Sequence, residues 1–433
     1  MLTPYQIWIC VVVGGLLFLD RLSLPNSVSG PVYCLLLLAL VPSLLSRLAR
    51  GFVKSKTYAL ADPLYRIVVG LERFFNRIPM NPYALGLPHH LLDLGIYQFE
   101  QKKYEAAENT YRETLQVAEK QCSSDSLMSA FALSELNKSL NMQGKYIESE
   151  KIGQRLITVL EKIGPKLGPL KQMLDPALGM VDLCGGLARQ GRYAEAEAMG
   201  KRAVELLESH EIAGDPKIQL RNLAAALNNL GVVYDEGGKA QEALAAYQRS
   251  LGLKLKTHNE LDRSVAIAHS NVGYAATNVG DLELATKHLD EARRILVKLK
   301  ICDDNIWATV LNNIGDVERL KGNFDAAEAT LLESFKWREK NLPPTNSHFA
   351  EGLLSLSLLY ADKNDLERGD AYFKRTIANL EARKPVNNKK LSEALSEYAK
   401  FLAKAGRQSQ ASDVEARATS LAASGEGCLP VTP

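Results

Sequence analysis

Residues 231–240 read GVVYDEGGKA, and the paired glycines before Lys239 raise a phosphate-cradling loop as the first chemical candidate. Such a loop needs Gly, four residues, Gly-Lys and then Ser or Thr, so that backbone N–H groups surround phosphate and a hydroxyl reaches the metal. Val233 stands where the first Gly is required, and Ala240 stands where the hydroxyl is required. The stretch also follows a helical pattern, whereas a phosphate loop follows a strand. The seven histidines form no HExxH, and no GxSxG occurs. His89-His90 read as residues at a helix start as readily as ligands. Six scattered cysteines (Cys10, Cys34, Cys122, Cys184, Cys302 and Cys428) have neither CxxC nor zinc spacing and read as reduced thiols. Cys428 is too far from the end for prenylation. These residue types predict no catalytic group, no metal site and no cofactor.

Charge narrows the partner classes. The chain of 433 residues carries a formal net charge of +2, with 52 Lys/Arg against 50 Asp/Glu. Residues 1–77 hold eight of the bases and three of the acids, which leaves residues 78–433 at −3. Phosphate neutralisation supplies most nucleic-acid affinity, so a body without basic excess argues against RNA or DNA. Any anionic target belongs near the N-terminal segment.

That segment reads as a membrane anchor over residues 1–46. Between Ile7 and Leu45 the only charges are Asp20 and Arg21, which sit in a turn-rich break between IWICVVVGGLLFL (Ile7 to Leu19) and VSGPVYCLLLLALVPSLL (Val28 to Leu45). At about 1.5 Å per residue each run falls short of, or just reaches, a hydrocarbon core of about 30 Å. The pattern favours a two-helix hairpin over a single span by the second run. A cleaved signal peptide fits less well, because no Lys or Arg precedes Ile7. Trp8 suits an interface. Arg47, Arg50, Lys54 and Lys56 follow the second run with no acid before Asp62, which places the rest of the chain on the cytoplasmic side. Within the basic segment 47–82, Asp62-Pro63 marks a helix start, and apolar residues from Leu64 to Ile78 fall at helical period. Arg66, Arg73 and Arg77 share another face. This helix, 63–78, either lies on lipid headgroups or packs as an N-terminal cap on the first helical repeat.

Residues 83–420 form a repeat array. A motif of turn residue, any residue, often an apolar one, two more and a small one begins at Lys102, Gly144, Gly191, Gly238, Gly280, Gly322, Asn364 and Gly406. The intervals are 42, 47, 47, 42, 42, 42 and 42 residues. Its sixth position is Ala107, Ser149, Ala196, Ala243, Ala285, Ala327, Gly369 and Ala411, small throughout. Thirteen residues earlier runs the column Leu94, Leu136, Leu183, Leu230, Val272, Ile314, Leu356 and Tyr398, with a second apolar column three residues before that. Two such columns mark one buried helix stripe. His269 is the polar exception and reads as a packed, hydrogen-bonded core histidine. Each unit is therefore helix, tight turn, helix, and the two longer intervals place small insertions near KIGPKLGPL and ESHEIAGDP. The tail 421–433 lacks periodicity and reads as disordered.

LNNLGVVYDEGGKAQEALAAYQRSL (Leu227 to Leu251) resembles a tetratricopeptide repeat, with Leu230-Gly231, Tyr234, Ala243 and Tyr247 at the family's marker positions. The 42-residue period and the Leu-Asn-Asn openings at Leu227 and Leu311 resemble the longer repeats of kinesin light chains. The 169–215 unit departs most, with Cys184 where Gly is usual and Gly200 where an aromatic is usual. The resemblance implies an all-α, right-handed superhelical solenoid of about eight helix-turn-helix repeats, here preceded by one or two transmembrane helices. It further implies that first helices line a groove for a peptide or protein. Positions facing it are Asn228, Asn229, Asp235, Ser270, Asn271, Tyr274, Asn312, Asn313, Asp316 and Arg319. An asparagine amide both donates and accepts, so a ladder of them can hold an extended backbone or tie neighbouring helices together. The expected protein is a membrane-anchored interaction scaffold, or else a structural subunit of a larger membrane complex.

Overall fold

The computed structural model describes residues 42, 45–53, 58–75, 86–164, 176–209, 215–344, 346–382 and 387–425. Among them every regular element is a helix. The chain divides into two compact units, Met1–Gln190 and Gly191–Pro433. The first holds α1 (residues 45–53), α2 (Tyr58–Phe75), α3 (Leu87–Glu100), α4 (Tyr104–Gln121), α5 (Leu127–Met142), α6 (Tyr146–Ile163) and α7 (Pro176–Arg189). The second holds α8 (Tyr193–Ser209), α9 (Pro216–Glu236), α10 (Ala240–Thr257), α11 (Arg263–Asn278), α12 (Leu282–Lys298) and α13 (Asn305–Leu320). It continues through α14 (Phe324–Asn341), α15 (Ser347–Asp362), α16 (Leu366–Ala382), α17 (Asn388–Lys404) and α18 (Gln408–Gly425). The expected all-helical solenoid is what these helices build.

Each predicted motif start is a corner with left-handed backbone. Lys102 and Asn364 have φ of 58°, and the six glycines of the column lie between 74° and 85°. Glycine adopts this region without a Cβ penalty, which explains its six appearances. The first helices of unit 2 start on side-chain caps. Asp215, Asp262, Asp304 and Asn346 each accept from the N–H two residues on. These caps satisfy donors that a helix start leaves unpaired.

Behind each corner the two helices come very close. Cβ atoms added at Gly95, Gly231, Gly273 and Gly315 would lie 2.4, 2.7, 2.6 and 2.5 Å from Tyr111, Tyr247, Leu289 and Leu331 respectively. In every case the knob stands sixteen residues after the glycine. The Leu-Gly pair thus carries one buried Leu and one gap for a knob from the second helix. In α5 and α6 the sizes are exchanged: Asn137 takes the gap position, Gly153 takes the knob position, and Ser149 donates 2.6 Å to Asn137. The division between units falls at the corner Gly191, inside the repeat that departs most from the pattern. There, too, no bulky residue stands at the knob position, which is Gly200. The first longer interval is absorbed between Ile163 and Pro176, and the second in α9, whose 21 residues exceed the 16 of α11 and α13.

The basic segment is folded onto the first repeat. Leu45 and Ala49 of α1 and Ala61, Leu64, Tyr65, Val68 and Val69 of α2 share one cluster with Leu87, Leu91, Leu94 and Tyr97 of α3. Of the two fates open to the amphipathic helix, packing as a cap is the one this cluster displays. The helix includes Tyr58, five residues before Pro63, and Phe75 is its last described residue; the expected end at 78 lies outside the described residues. Ala61 is fully buried in the cluster shared with α1, so packing carries the helix back past the proline, whose missing N–H withdraws one bond. At the other end α18 runs to Gly425, so helix occupies the first residues of the expected tail. Val414 and Leu421 of α18 pack on the terminal cluster, which extends the helix beyond the last clear motif. The expected membrane anchor lies almost wholly outside the described residues. Among the described ones no helix is long and apolar enough to cross a membrane.

His269 is hydrogen-bonded as expected: its Nδ1 lies 2.9 Å from Nδ1 of His288 on α12. Burial and the neighbouring His288 push its pKa down to about 4. A base with a depressed folded pKa gives stability present above its unfolded value near 6.5 and lost as pH falls towards 4. Melting curves from pH 7.5 to 4.5 should therefore show a steeper loss in the wild type than in His269→Leu, with a difference of about 1 kcal/mol. Gly231→Ala should cost about 1–3 kcal/mol in denaturant unfolding, because the Tyr247 ring has nowhere to yield. Pairing it with Tyr247→Leu should recover part of the loss.

Candidate partner-binding face

The first helices of unit 2 are stitched edge to edge by polar side chains. Asn271 Nδ2 donates 2.9 Å to Asn228 Oδ1, and Asn313 Nδ2 donates 3.3 Å to Ser270 Oγ. Asn312 Nδ2 donates 3.0 Å to Ser355 Oγ and 3.0 Å to Asp316 Oδ2. Asp235 accepts from Tyr274 at 3.1 Å and from Asn278 at 2.9 Å. Arg319 donates 2.6 Å to Asp362 and lies 3.8 Å from Asp316. Asn228 and Asn229 border an open cleft of about 260 Å³ together with Arg221, Lys254 and His258. Of the groove residues read from the sequence, all but Asn229 are thus brought into this set of ties. Val232 and Tyr274 remain about 40% exposed on the same face.

A spacing rule runs through these ties. Asn228–Asn271, Ser270–Asn313, Asn312–Ser355, Asp235–Asn278 and Arg319–Asp362 are each 43 residues apart. One period plus one residue is the position that faces a given side chain from the next first helix. Ser355, Asp362 and Asn278 escape a reading that follows columns at the period itself. A search for polar residues at 43 would have found them.

The face deepens into a buried polar cluster near Asp316. Arg338 of α14 is 1% exposed and donates to the carbonyl of His348, packing against Gly352. Burial lowers the pKa of its guanidinium, and the carboxylates of Glu351 and Asp316 oppose that shift. Burial pushes the Asp316 carboxyl up to about 6, against the pull of Arg319, Ser355 and Arg338. Burial acts to raise Glu351 as well, but the hydrogen bond from His348 and the charges of His348, Lys390 and Arg338 outweigh it and hold it at about 2. Asp235 is raised by burial, with Tyr274 and Asn278 opposing. Asn312 Oδ1 and Arg338 Nε are buried without a hydrogen bond, and Asp316 Oδ1 and Arg319 Nε meet only as an ion pair at 3.8 Å. Such groups are expensive to leave unpaired, and they concentrate on one stretch of this face.

Of the four described basic residues assigned to a lipid interface, three are paired with protein carboxylates. Arg73 pairs with Glu113 through two bonds of 2.9 and 2.5 Å, Arg66 with Asp62 at 2.8 Å, and Arg50 with Asp93 at 3.6 Å. Arg47 is exposed. Trp8, Lys54, Lys56 and Arg77 lie outside the described residues.

Comparison with known proteins agrees with this geometry at the level of the repeat. Tetratricopeptide-repeat family models match residues 223–260 and 264–340. No curated protein matches the chain by sequence. Among solved structures, the apo form of RapI superposes with a TM-score of 0.61 at 14% identity, over 89% of this chain and 99% of that one. The apo form of the quorum sensor NprR from B. thuringiensis gives 0.56 at 15% identity, over 88% and 98%. A Rap protein complexed with Competence and Sporulation Factor gives 0.55 at 12% identity, over 89% and 98%. At these identities the likeness is one of fold.

Asp316 supplies a direct check of the buried cluster. A carboxyl whose folded pKa of about 6 exceeds its ordinary 3.8 gives stability present below pH 3.8 and lost as pH rises through 6. Asp316→Asn should flatten that slope and raise stability at pH 7 by about 1–2 kcal/mol, measured by urea unfolding at pH 4.5 and 7.

Proposed function

We propose that this chain is a protein–protein interaction scaffold that holds a partner peptide or protein segment on the first-helix face of its second unit. The observation that carries this is the row of polar side chains on successive first helices, with the Asn312 acceptor unused and Val232 and Tyr274 exposed on the same face. An extended segment brings alternating amides and side chains, which suit a face of paired donors and acceptors with apolar spots between them. The related fold of a Rap protein complexed with Competence and Sporulation Factor supports a binding role by analogy of fold. No residue of the chain is assigned a catalytic role.

The reading includes attachment to a membrane through residues 1–46, with the repeats on the cytoplasmic side. The two apolar runs and the basic residues after Leu45 support it. The α1–α2 cap would then hold the repeats close to the bilayer, since α1 begins where the second apolar run ends.

The test is crosslinked capture from native membranes with the full chain. The asparagines are poor probes, because they tie helices together. Val232→Glu is better placed, because Val232 is exposed and makes none of these ties. Partner recovery should fall about tenfold or more while the melting temperature stays within a few degrees. Undiminished recovery would sink the binding-face reading. Alkaline carbonate extraction and protease protection of intact cells check the anchor and its orientation independently.

A further inference from the structure

Two lysines stand where their own helix disfavours them. Lys389 and Lys390 lie in the first turn of α17, at the positive end of its dipole, although cations belong at the other end. Both reach across to α9, more than 150 residues earlier in the chain. Lys389 donates to the backbone carbonyl of Glu236, the last residue of α9. That carbonyl belongs to the negative end of a helix, where acceptors are left unpaired. The same ammonium lies 5.0 Å from the centre of the Tyr193 ring. Lys390 stands 3.7 Å from the Glu236 carboxylate, which is itself 3.5 Å from the Tyr193 hydroxyl. A carbonyl at a helix end, an aromatic face and a carboxylate together make a cage for a cation. The two side chains in it remain 41% and 37% exposed, so nothing buries them there. The cage borders the partner-binding face, since Asp235 is the neighbour of Glu236 and is bonded to Tyr274.

We propose that Tyr193 and the Glu236 carbonyl and carboxylate form a recognition site for a lysine or arginine side chain of an extended partner segment, filled in this structure by the chain's own Lys389 and Lys390. The inference rests on the reading of the first-helix face as a binding surface and names the chemistry of what binds. A partner's cation replaces the internal one, and the two half-exposed lysines turn to solvent. Entry of the partner and opening of the α9–α17 bridge are then the same event.

The test uses the full chain in detergent micelles and three labelled dodecapeptides of alternating Lys-Ser, Asn-Ser or Glu-Ser, read by fluorescence anisotropy. The Lys-Ser peptide should bind in preference to the other two. It should bind Lys389→Ala/Lys390→Ala about fivefold or more tightly than the wild type, because the internal competitor is gone. Adding Glu236→Gln to that variant should abolish the gain, with melting curves confirming that all forms are folded. Equal binding of the Asn-Ser or Glu-Ser peptide overturns cation recognition. Unchanged Lys-Ser affinity in the double lysine variant overturns displacement. Failure of the Lys-Ser peptide to bind that variant below about 1 mM overturns the cage altogether. None of these three results touches the binding-face reading, which stands or falls on partner capture by the Val232 variant.

Discussion

Close approach of the two helices of a repeat, reached through a glycine at four of the eight corners, is the constraint on which this protein depends. A glycine on the first helix and a bulky knob sixteen residues later on the second let the pair meet at distances that no Cβ would allow. The left-handed corner turns the chain back at the right place, and the small sixth residue keeps the second helix near its start. One pair buries too little apolar surface to stand alone, so stability accumulates by stacking. The site where the knob position holds Gly200 is also the repeat at which the chain divides into two units.

Function is built on what that packing leaves over. Packing occupies one face of each first helix, and the adjoining face carries polar residues at equivalent heights in successive repeats. Because neighbouring first helices are held close, those residues meet across the boundary at a separation of 43. Each tie contributes on the order of 1 kcal/mol, and together they fix the spacing of the face. The same ties use up most of the amide capacity that a ladder of asparagines offers. What remains unused lies near Asp316, where Asn312 Oδ1 and Arg338 Nε make no hydrogen bond.

Electrostatics distinguishes two places in this second unit. Around Asp316 and Arg338 the charges are buried and mutually compensated, and their pKa values are displaced by burial first. At the α9–α17 bridge the charges are half exposed, and the cations sit at the wrong end of their own helix. The first arrangement resists change and the second is easily exchanged. A scaffold that must both keep its shape and accept a partner needs one of each.

The sequence by itself determined the periodic part of this protein. Eight corners and the buried columns are legible because the repeats solve the same local packing problem, and four of them do so with the same glycine gap. His269 could be placed as a bonded core residue because it interrupts an otherwise apolar column. Where a single repeat departs, as at Cys184 and Gly200, the departure was visible but its consequence for the division of the chain was not. The start of α2 before Pro63 was hidden because packing against α1 outweighs the local signal of a proline. Only the tertiary structure decided how the polar face is wired. Asn228 reads equally well as a ligand for a peptide or as a partner for Asn271, and the amide chemistry is identical in both. Nothing local marks Lys389, Tyr193 and Glu236 as neighbours either, since they are brought together by the curvature of several stacked repeats. Local propensity is written residue by residue, whereas that curvature is a sum over many interfaces, and only the folded chain performs the sum.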